Sequence, residues 1–350
     1  MQLPGKMKAI MKAKPAEGAE LVEVPVPKPG PRDVLVKVQM TSICGTDVHI
    51  YNWDSWAQGR IKPPLVFGHE FAGEVVAIGE MVTGFKPGDF ISAESHIPCG
   101  VCFQCRTDMQ HICGKLKILG VDTQGCFADY IALPEVCAWK NDKSMKPESA
   151  CIQEPLGNAV YATLAEDITG RSVAVMGCGP AGCFTVGVAS GAGAGKIIHV
   201  IKHEFRREIS KKMGSHIIFK YDDPQLVDKV MKATDGVGVE VVMEMTGNQL
   251  AIDSGLKMLA KGGRFTAFGI PSGPIQIDLS NGIVFKGGRI LGINGREMYK
   301  TWFKMAGLLN SGKLDPSPVI THKFPLKDFK QAFDVMRAKD RQSGKIILVP

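Results

Sequence analysis

From Gly170 onward the chain alternates two kinds of segment, and that alternation restricts the fold more than any other feature of the sequence. The apolar runs SVAVMG, KIIHVI, HIIFK, VEVVMEMTG, GRFTAFGI and RILGIN read as strands. Segments with helical spacing lie between them: one opens at Pro180, and EFRREISKKMG and LVDKVMKAT follow. Parallel strands need a crossover, usually a helix, so this order predicts a parallel, doubly wound sheet. The first turn of the series is GCGPAG. Gly177, Gly179 and Gly182 follow an apolar strand and open a helix, the context in which this spacing binds a dinucleotide. The first glycine makes the turn, the second lets backbone approach a pyrophosphate, and the third packs helix on strand. The helix N-terminus adds donors and partial positive charge for the phosphates.

The second strand departs from the pattern. An Asp or Glu about 20 residues past the glycines would hold the ribose hydroxyls, but KIIHVI ends in Ile201, followed by Lys202 and His203, with Arg206 and Arg207 nearby. Two readings stay open. Either other groups hold the ribose, or the missing carboxylate and the cations relax the choice between NAD and NADP.

The first 150 residues have another character. LVEVPV and VLVKVQM, separated by Pro and Gly, read as an all-β start. A chain of 350 residues exceeds what one core usually supports, roughly 250 to 300 residues, so two domains are expected. The first spans 1–156 and the nucleotide-binding one 157–296. The remainder, 297–350, holds the helical stretches YKTWFKMAGLLNSG and LKDFKQAFDVMRA and the strand KIILVP, and is expected to return to the first domain. The 42 basic residues are scattered among 35 acidic ones, which argues against a nucleic-acid partner. No apolar run approaches the roughly 20 residues of a membrane span. The start, MQLPGKMKAIMKA, lacks the apolar stretch of an export signal, so a cytoplasmic location is expected.

In a reducing compartment clustered cysteines more often bind metal than pair as disulfides. CGVCFQCRTDMQHIC places Cys99, Cys102, Cys105 and Cys113 in one loop, where four thiolates can close around a structural zinc. Free or disulfide-bonded thiols and an iron–sulfur cluster are the alternatives. A second set is dispersed: Cys44, the pair His69 and Glu70 in FGHEFAGEVV, and Glu154 in QEPLGNAV. Mixed ligands with a position left open describe a catalytic zinc. Taken singly each is weak, since a lone Cys is usually core and Glu154 suits the first turn of a helix.

Cys44, the GHE of residues 68–70, the four-cysteine loop and GCGPAG, in this order, resemble the zinc-containing medium-chain alcohol dehydrogenases. The resemblance implies a GroES-like β-domain joined to a Rossmann domain, with two zinc ions per chain and NAD, or NADP, as coenzyme. Within the family CGTDVHIYNWD, QEPLGNAV, INGREMYKTWFKM and LDPSPVITHKF resemble the branch that acts on L-threonine. The implied coenzyme residues are Gly177, Gly179, Pro180, Ala181, Gly182, Ile201, Lys202, Arg206, Phe268, Gly269, Ile270, Ile293, Asn294 and Arg296. Thr46 would accept the substrate's alcohol proton and pass it through the nicotinamide ribose to His49 and solvent. Glu154 belongs to the catalytic set, and His96 and Arg296 are candidates for binding the charged ends of threonine. The family is usually tetrameric. The rival readings are a polyol or 2,3-butanediol dehydrogenase with the same mechanism, and a nucleotide-binding protein without turnover, for which Thr46 and His49 would be a capping hydroxyl and a surface imidazole. Trp53 and Trp56 are expected to pack or to anchor a loop.

Overall fold

The computed structural model describes residues 3–340 and 342–350. It divides into two compact units, one formed by 1–155 with 320–350 and the other by 156–319.

The second unit is the parallel sheet that the alternation predicts. Its strands lie in the order Ile217–Lys220, Lys196–Ile201, Ser172–Met176, Val239–Glu244, Leu259–Ala267, Arg289–Gly292, every neighbour parallel. Numbered by sequence this is 3-2-1-4-5-6, the Rossmann arrangement, and the order reverses between Ser172–Met176 and Val239–Glu244. Its core is made by Ala174, Ile198, Val200, Val242 and Phe265 from the strands and Leu226, Val230, Ile252 and Leu256 from the helices Leu226–Ala233 and Gln249–Met258. The expected return at 297 falls at 320 instead, and the helix Lys300–Asn310 stays with the nucleotide unit. The reason is packing: its Trp302 and Met305 are fully buried, and Leu308, Lys313 and Leu314 lie against Gly187 and Gly191 of the helix Pro180–Gly191 so closely that a Cβ there would collide.

The first unit has the GroES-like β architecture. A seven-stranded sheet runs Ala138–Lys140, Phe90–Ala93, Glu70–Ile78, Asp33–Ser42, Lys345–Val349, Ile320–Pro325, with Tyr130–Pro134 also paired to Asp33–Ser42. Val34, Val36, Phe67, Phe71, Phe127, Phe333 and Leu348 share one core. The Phe333 ring, on the helix Phe329–Arg337, stacks on Tyr51 with centroids 4.4 Å apart. Tyr51 is in the last turn of the helix Gly45–Asn52, so the C-terminal segment buttresses the helix that carries Thr46 and His49. No helix among the described residues is long and apolar enough to cross a membrane.

One buried histidine ties the nucleotide turn to the sheet. His199, in Lys196–Ile201, donates from Nε2 to the Gly177 carbonyl at 3.0 Å, while Nδ1 pairs with Ser210 Oγ at 2.7 Å. A carbonyl only accepts, so the proton of the neutral ring sits on Nε2. Burial above all pushes this imidazole down to about 4; the Gly177 bond opposes the shift and the Arg206 charge adds to it. An unfolded histidine titrates near 6.5, so below that pH the unfolded chain takes up a proton that the native chain refuses. Stability should therefore fall by up to about 3 kcal/mol as the pH drops from about 6.5 toward 4. Urea unfolding across that range should show the loss, and His199→Gln should remove this share of it.

Candidate metal and nucleotide sites

Sheet register assembles the first site. Ser42 pairs with Glu70 across one side of Asp33–Ser42 and with Ile347 across the other, so three adjacent strands converge where Cys44 and His69 lie just beyond the strand ends. One atom each from Cys44, His69 and Glu70 lies within 4.8 Å of the others. Glu70 is fully buried. Its Oε2 accepts hydrogen bonds from Ser42 Oγ and from the Lys345 ammonium, which also donates to the Ile43 carbonyl at 2.9 Å. Its Oε1 has no hydrogen-bond partner among the described residues. A sulfur, an imidazole nitrogen and a carboxylate oxygen at this spacing fit a zinc ion with a further position open, and Glu70 keeps one oxygen unpartnered.

Asp47 stands behind His69. Its Oδ2 accepts the Cys44 N–H at 2.8 Å and its Oδ1 lies 3.7 Å from His69 Nδ1, the place of the carboxylate that orients a metal-binding imidazole. Burial pushes its carboxyl up to about 6, against the pull of His69 and the Cys44 N–H. Thr46 Oγ1 is 3.9 Å from Cys44 Sγ. Cys44, rather than Thr46, occupies the N-cap of Gly45–Asn52. Glu154 sits in the first turn of Gln153–Leu164, nearly buried, where its Oε1 accepts from Ser95 Oγ at 2.5 Å. It lies outside the 4.8 Å set, although its charge acts on His69. His96 is buried with Nδ1 3.1 Å from Glu94 Oε1. His49 is exposed and paired with Asp54, and the Trp56 ring lies 6.0 Å from its own. Trp53 ends the helix in a left-handed conformation and packs against the core of its unit.

The second set is the lobe of Cys99, Cys102, Cys105 and Cys113, all free thiols. Sγ separations of 3.5 Å for 102–105, 3.7 Å for 102–113 and 4.0 Å for 99–105 bracket the roughly 3.8 Å edge of a tetrahedron with zinc–sulfur bonds of about 2.3 Å. Backbone N–H groups of Cys105 and Gly114 draw the Cys102 thiol down to about 6, and those of Val101 and Cys102 lower Cys99. Burial and the neighbouring thiols push Cys105 the other way, up to about 12, so two sulfurs are prepared as thiolates and a bound ion would complete the set in a closed structural site.

In the nucleotide unit Gly177 has φ +106, and a Cβ on Gly182 would lie 1.9 Å from the Gly177 carbonyl, so neither position admits a side chain. Gly179 faces open space. Pro180 and Ala181 begin the helix Pro180–Gly191. The turn is thus a backbone cradle of the kind that phosphates occupy. Arg206 Nη1 donates to the Cys178 carbonyl at 2.5 Å and the Lys202 N–H to Cys178 Sγ at 3.3 Å, holding the same turn from the next strand. Ile201 is fully buried and belongs to the core of the sheet, with exposed Lys202 beside it. Phe268 and Gly269 are bound through their N–H groups to the Glu244 carbonyl, and Ile270 is exposed. Ile293 is buried, Asn294 exposed, and buried Arg296 donates to Asn158 Oδ1 at 2.8 Å.

Sequence reasoning missed Ser42, Asp47, Glu94, Ser95, His199, Glu244 and Lys345. Glu244 is buried and its carboxylate receives the N–H groups of Thr246 and Gly247 at the end of its strand. A charged residue closing an apolar strand, as in VEVVMEM, was the available signal for it. The signal for Asp47 was its place three residues after Cys44, the distance of a capping box.

Fold and donor sets together define a zinc-binding dehydrogenase of the alcohol dehydrogenase type. Residues 30–143 match the alcohol dehydrogenase GroES-like domain and residues 180–311 the zinc-binding dehydrogenase domain. The L-threonine 3-dehydrogenase of Bacillus velezensis is 49% identical over 99% of both chains. The 2R,3R-butanediol dehydrogenase of Bacillus subtilis is 26% identical with TM-score 0.89, over 98% of this chain and 99% of that one. An alcohol dehydrogenase of Escherichia coli CFT073 complexed with NADH is 25% identical with TM-score 0.91, over 99% and 100%. The chain belongs to the L-threonine 3-dehydrogenase family of zinc-containing medium-chain dehydrogenases.

Lys345 neutralises a carboxylate that is wholly out of water. Removing one member of a buried pair typically costs about 3 to 5 kcal/mol, because the survivor stays buried without compensation. Lys345→Met should destabilise the protein by that order in urea unfolding. Glu70→Gln in the same chain should recover part of the loss, and additive effects would show that the two groups do not act as a pair.

Proposed function

We propose that the protein oxidises the secondary alcohol of L-threonine to L-2-amino-3-oxobutanoate with NAD, using one catalytic and one structural zinc per chain. The observation that carries the reading is the convergence of Cys44, His69 and Glu70, with Thr46 beside Cys44, in a chain nearly half identical to named L-threonine 3-dehydrogenases. Cys44, His69 and Glu70 hold the catalytic ion, with Glu154 at hand, and the four-cysteine lobe holds the structural one. When bound, zinc polarises the substrate oxygen as a Lewis acid and the nicotinamide receives the hydride. Thr46 Oγ1 accepts the hydroxyl proton, and His49, more than half exposed, is the solvent end of the relay. Asp47 faces the His69 ring and holds the Cys44 N–H. His96 and Arg296 are the candidates for binding the charged ends of threonine.

The first unit is the catalytic domain and the second the dinucleotide-binding domain. The cradle at Gly177, Gly179 and Gly182 supports NAD as coenzyme. With Ile201 in the core and Lys202 and Arg206 at the strand end, nothing on this strand repels a 2′-phosphate, which favours tolerance of NADP. The enzyme works in the cytoplasm as a homotetramer. Self-association is supported by the open edge strand Arg289–Gly292, where Ile290 is exposed and Val284 and Phe285 are more than half exposed close by in sequence.

Purified protein offered L-threonine, 2,3-butanediol and sorbitol should reduce NAD fastest with threonine, followed by absorbance of the reduced coenzyme. Elemental analysis should find two zinc ions per chain, and mild chelation should end activity before structure is lost, because only the mixed-ligand site is open to exchange. A diol oxidised faster than threonine would move the chain to the polyol reading.

A further inference from the structure

We propose that Asp54 is a positioning residue for proton transfer: its carboxylate holds the His49 imidazole with Nδ1–H turned inward and leaves Nε2 as the nitrogen that exchanges protons. The inference rests on the reading of His49 as the solvent end of the relay and deepens it.

His49 lies in the last turn of Gly45–Asn52 with its side chain 58% exposed, and its Nδ1 is hydrogen-bonded to Asp54 Oδ2. Trp53, the residue just before Asp54, has φ +56 and stops the helix there, which brings Asp54 back alongside its final turn. Asp54 is itself fixed. Its Oδ1 accepts the Ala57 N–H at 3.1 Å as the N-cap of the helix Ser55–Arg60. One carboxylate oxygen anchors a helix and the other anchors an imidazole, so the ring is referred to backbone rather than to a mobile side chain. The nearby charges of the C-terminal helix, Asp334 and Arg337, act on Tyr51, and Arg337 pairs with Glu17.

An exposed pair of this kind contributes little to stability, which gives the contact small value as a staple. Its geometric effect is larger. A carboxylate only accepts, so Nδ1 must carry the proton and Nε2 of the neutral ring must carry the lone pair. In turnover Nε2 takes a proton and releases it to water, while Nδ1–H stays bonded to Asp54, which remains ionised throughout.

Asp54→Asn tests the inference without removing the cap, because Asn caps helices as well as Asp does. With its oxygen held by the Ala57 N–H, the new amide nitrogen faces Nδ1 as a donor and should reverse the ring's tautomer. Histidine-selective 15N spectra, with His49→Ala to assign the signal, should show Nδ1–H in the wild type and Nε2–H in the variant. Turnover should fall about tenfold or more while the KM values for substrate and coenzyme change little, since positioned proton transfer is worth roughly a hundredfold to ten-thousandfold in all. In a His49→Ala background the same change should cost nothing further. Asp54→Ser, which also caps, should lose the tautomer preference.

An unchanged tautomer in Asp54→Asn, or a cost that persists without His49, overturns the positioning role and leaves the relay standing. Full activity in His49→Ala overturns the relay, and this inference with it.

Discussion

The catalytic half of this protein depends on one buried contact, that of Lys345 with Glu70. Three strands bring Ser42, Glu70 and Lys345 to the same point, and the ammonium takes one carboxylate oxygen while the other is left unsatisfied. A fully buried carboxylate is tolerable only if its charge is met. Lys345 meets that charge through Oε2, and a metal ion would take up the oxygen that is left, Oε1. The orphaned oxygen is therefore part of the design of the site, and so is Asp47, whose own unsatisfied Oδ1 sits opposite the His69 ring. The candidate ligands are thus backed by groups that would not themselves touch an ion.

The two donor sets differ in what holds them. The four cysteines fall in one loop, draw on its own N–H groups and need little from the rest of the fold. The mixed set draws on residues from distant parts of the chain and exists only when the large sheet is in register. A slip of one residue would turn Ser42 or Glu70 to the opposite face. That contrast explains why one set can be rigid and closed while the other retains an open position.

How legible each part was follows the same division. The strands of the nucleotide unit were read in their observed order because apolar runs buried on both faces are local signals. The helix Gln249–Met258 was not read, as Gly255 and a polar start weaken its pattern, and the helix Gly45–Asn52 is masked by the Cys44 cap and the left-handed Trp53. The boundary at 297 was misplaced because the amphipathic stretch after Arg296 carries no mark of which core it will join; Gly187 and Gly191 decide that, more than a hundred residues earlier. Among the site residues, Cys44, His69 and Glu70 could be named by type. Lys345, Ser42 and Asp47 could not, since a lysine near a chain end is usually solvated and its burial depends on strand pairing that no local pattern encodes.

The separation of Glu70 from Lys345 also bears on how the molecule is made. The partners lie 275 residues apart, and at about 5 to 20 residues per second a ribosome needs roughly 14 to 55 seconds to pass from one to the other. During that interval Cys44, His69 and Glu70 have left the tunnel while the strand that completes their sheet has yet to be synthesised. The Rossmann unit, wholly contained in the intervening sequence, can fold in the meantime. The mixed-ligand pocket therefore closes last, whereas the four-cysteine loop, which draws only on its own residues, is complete long before the final strand is made.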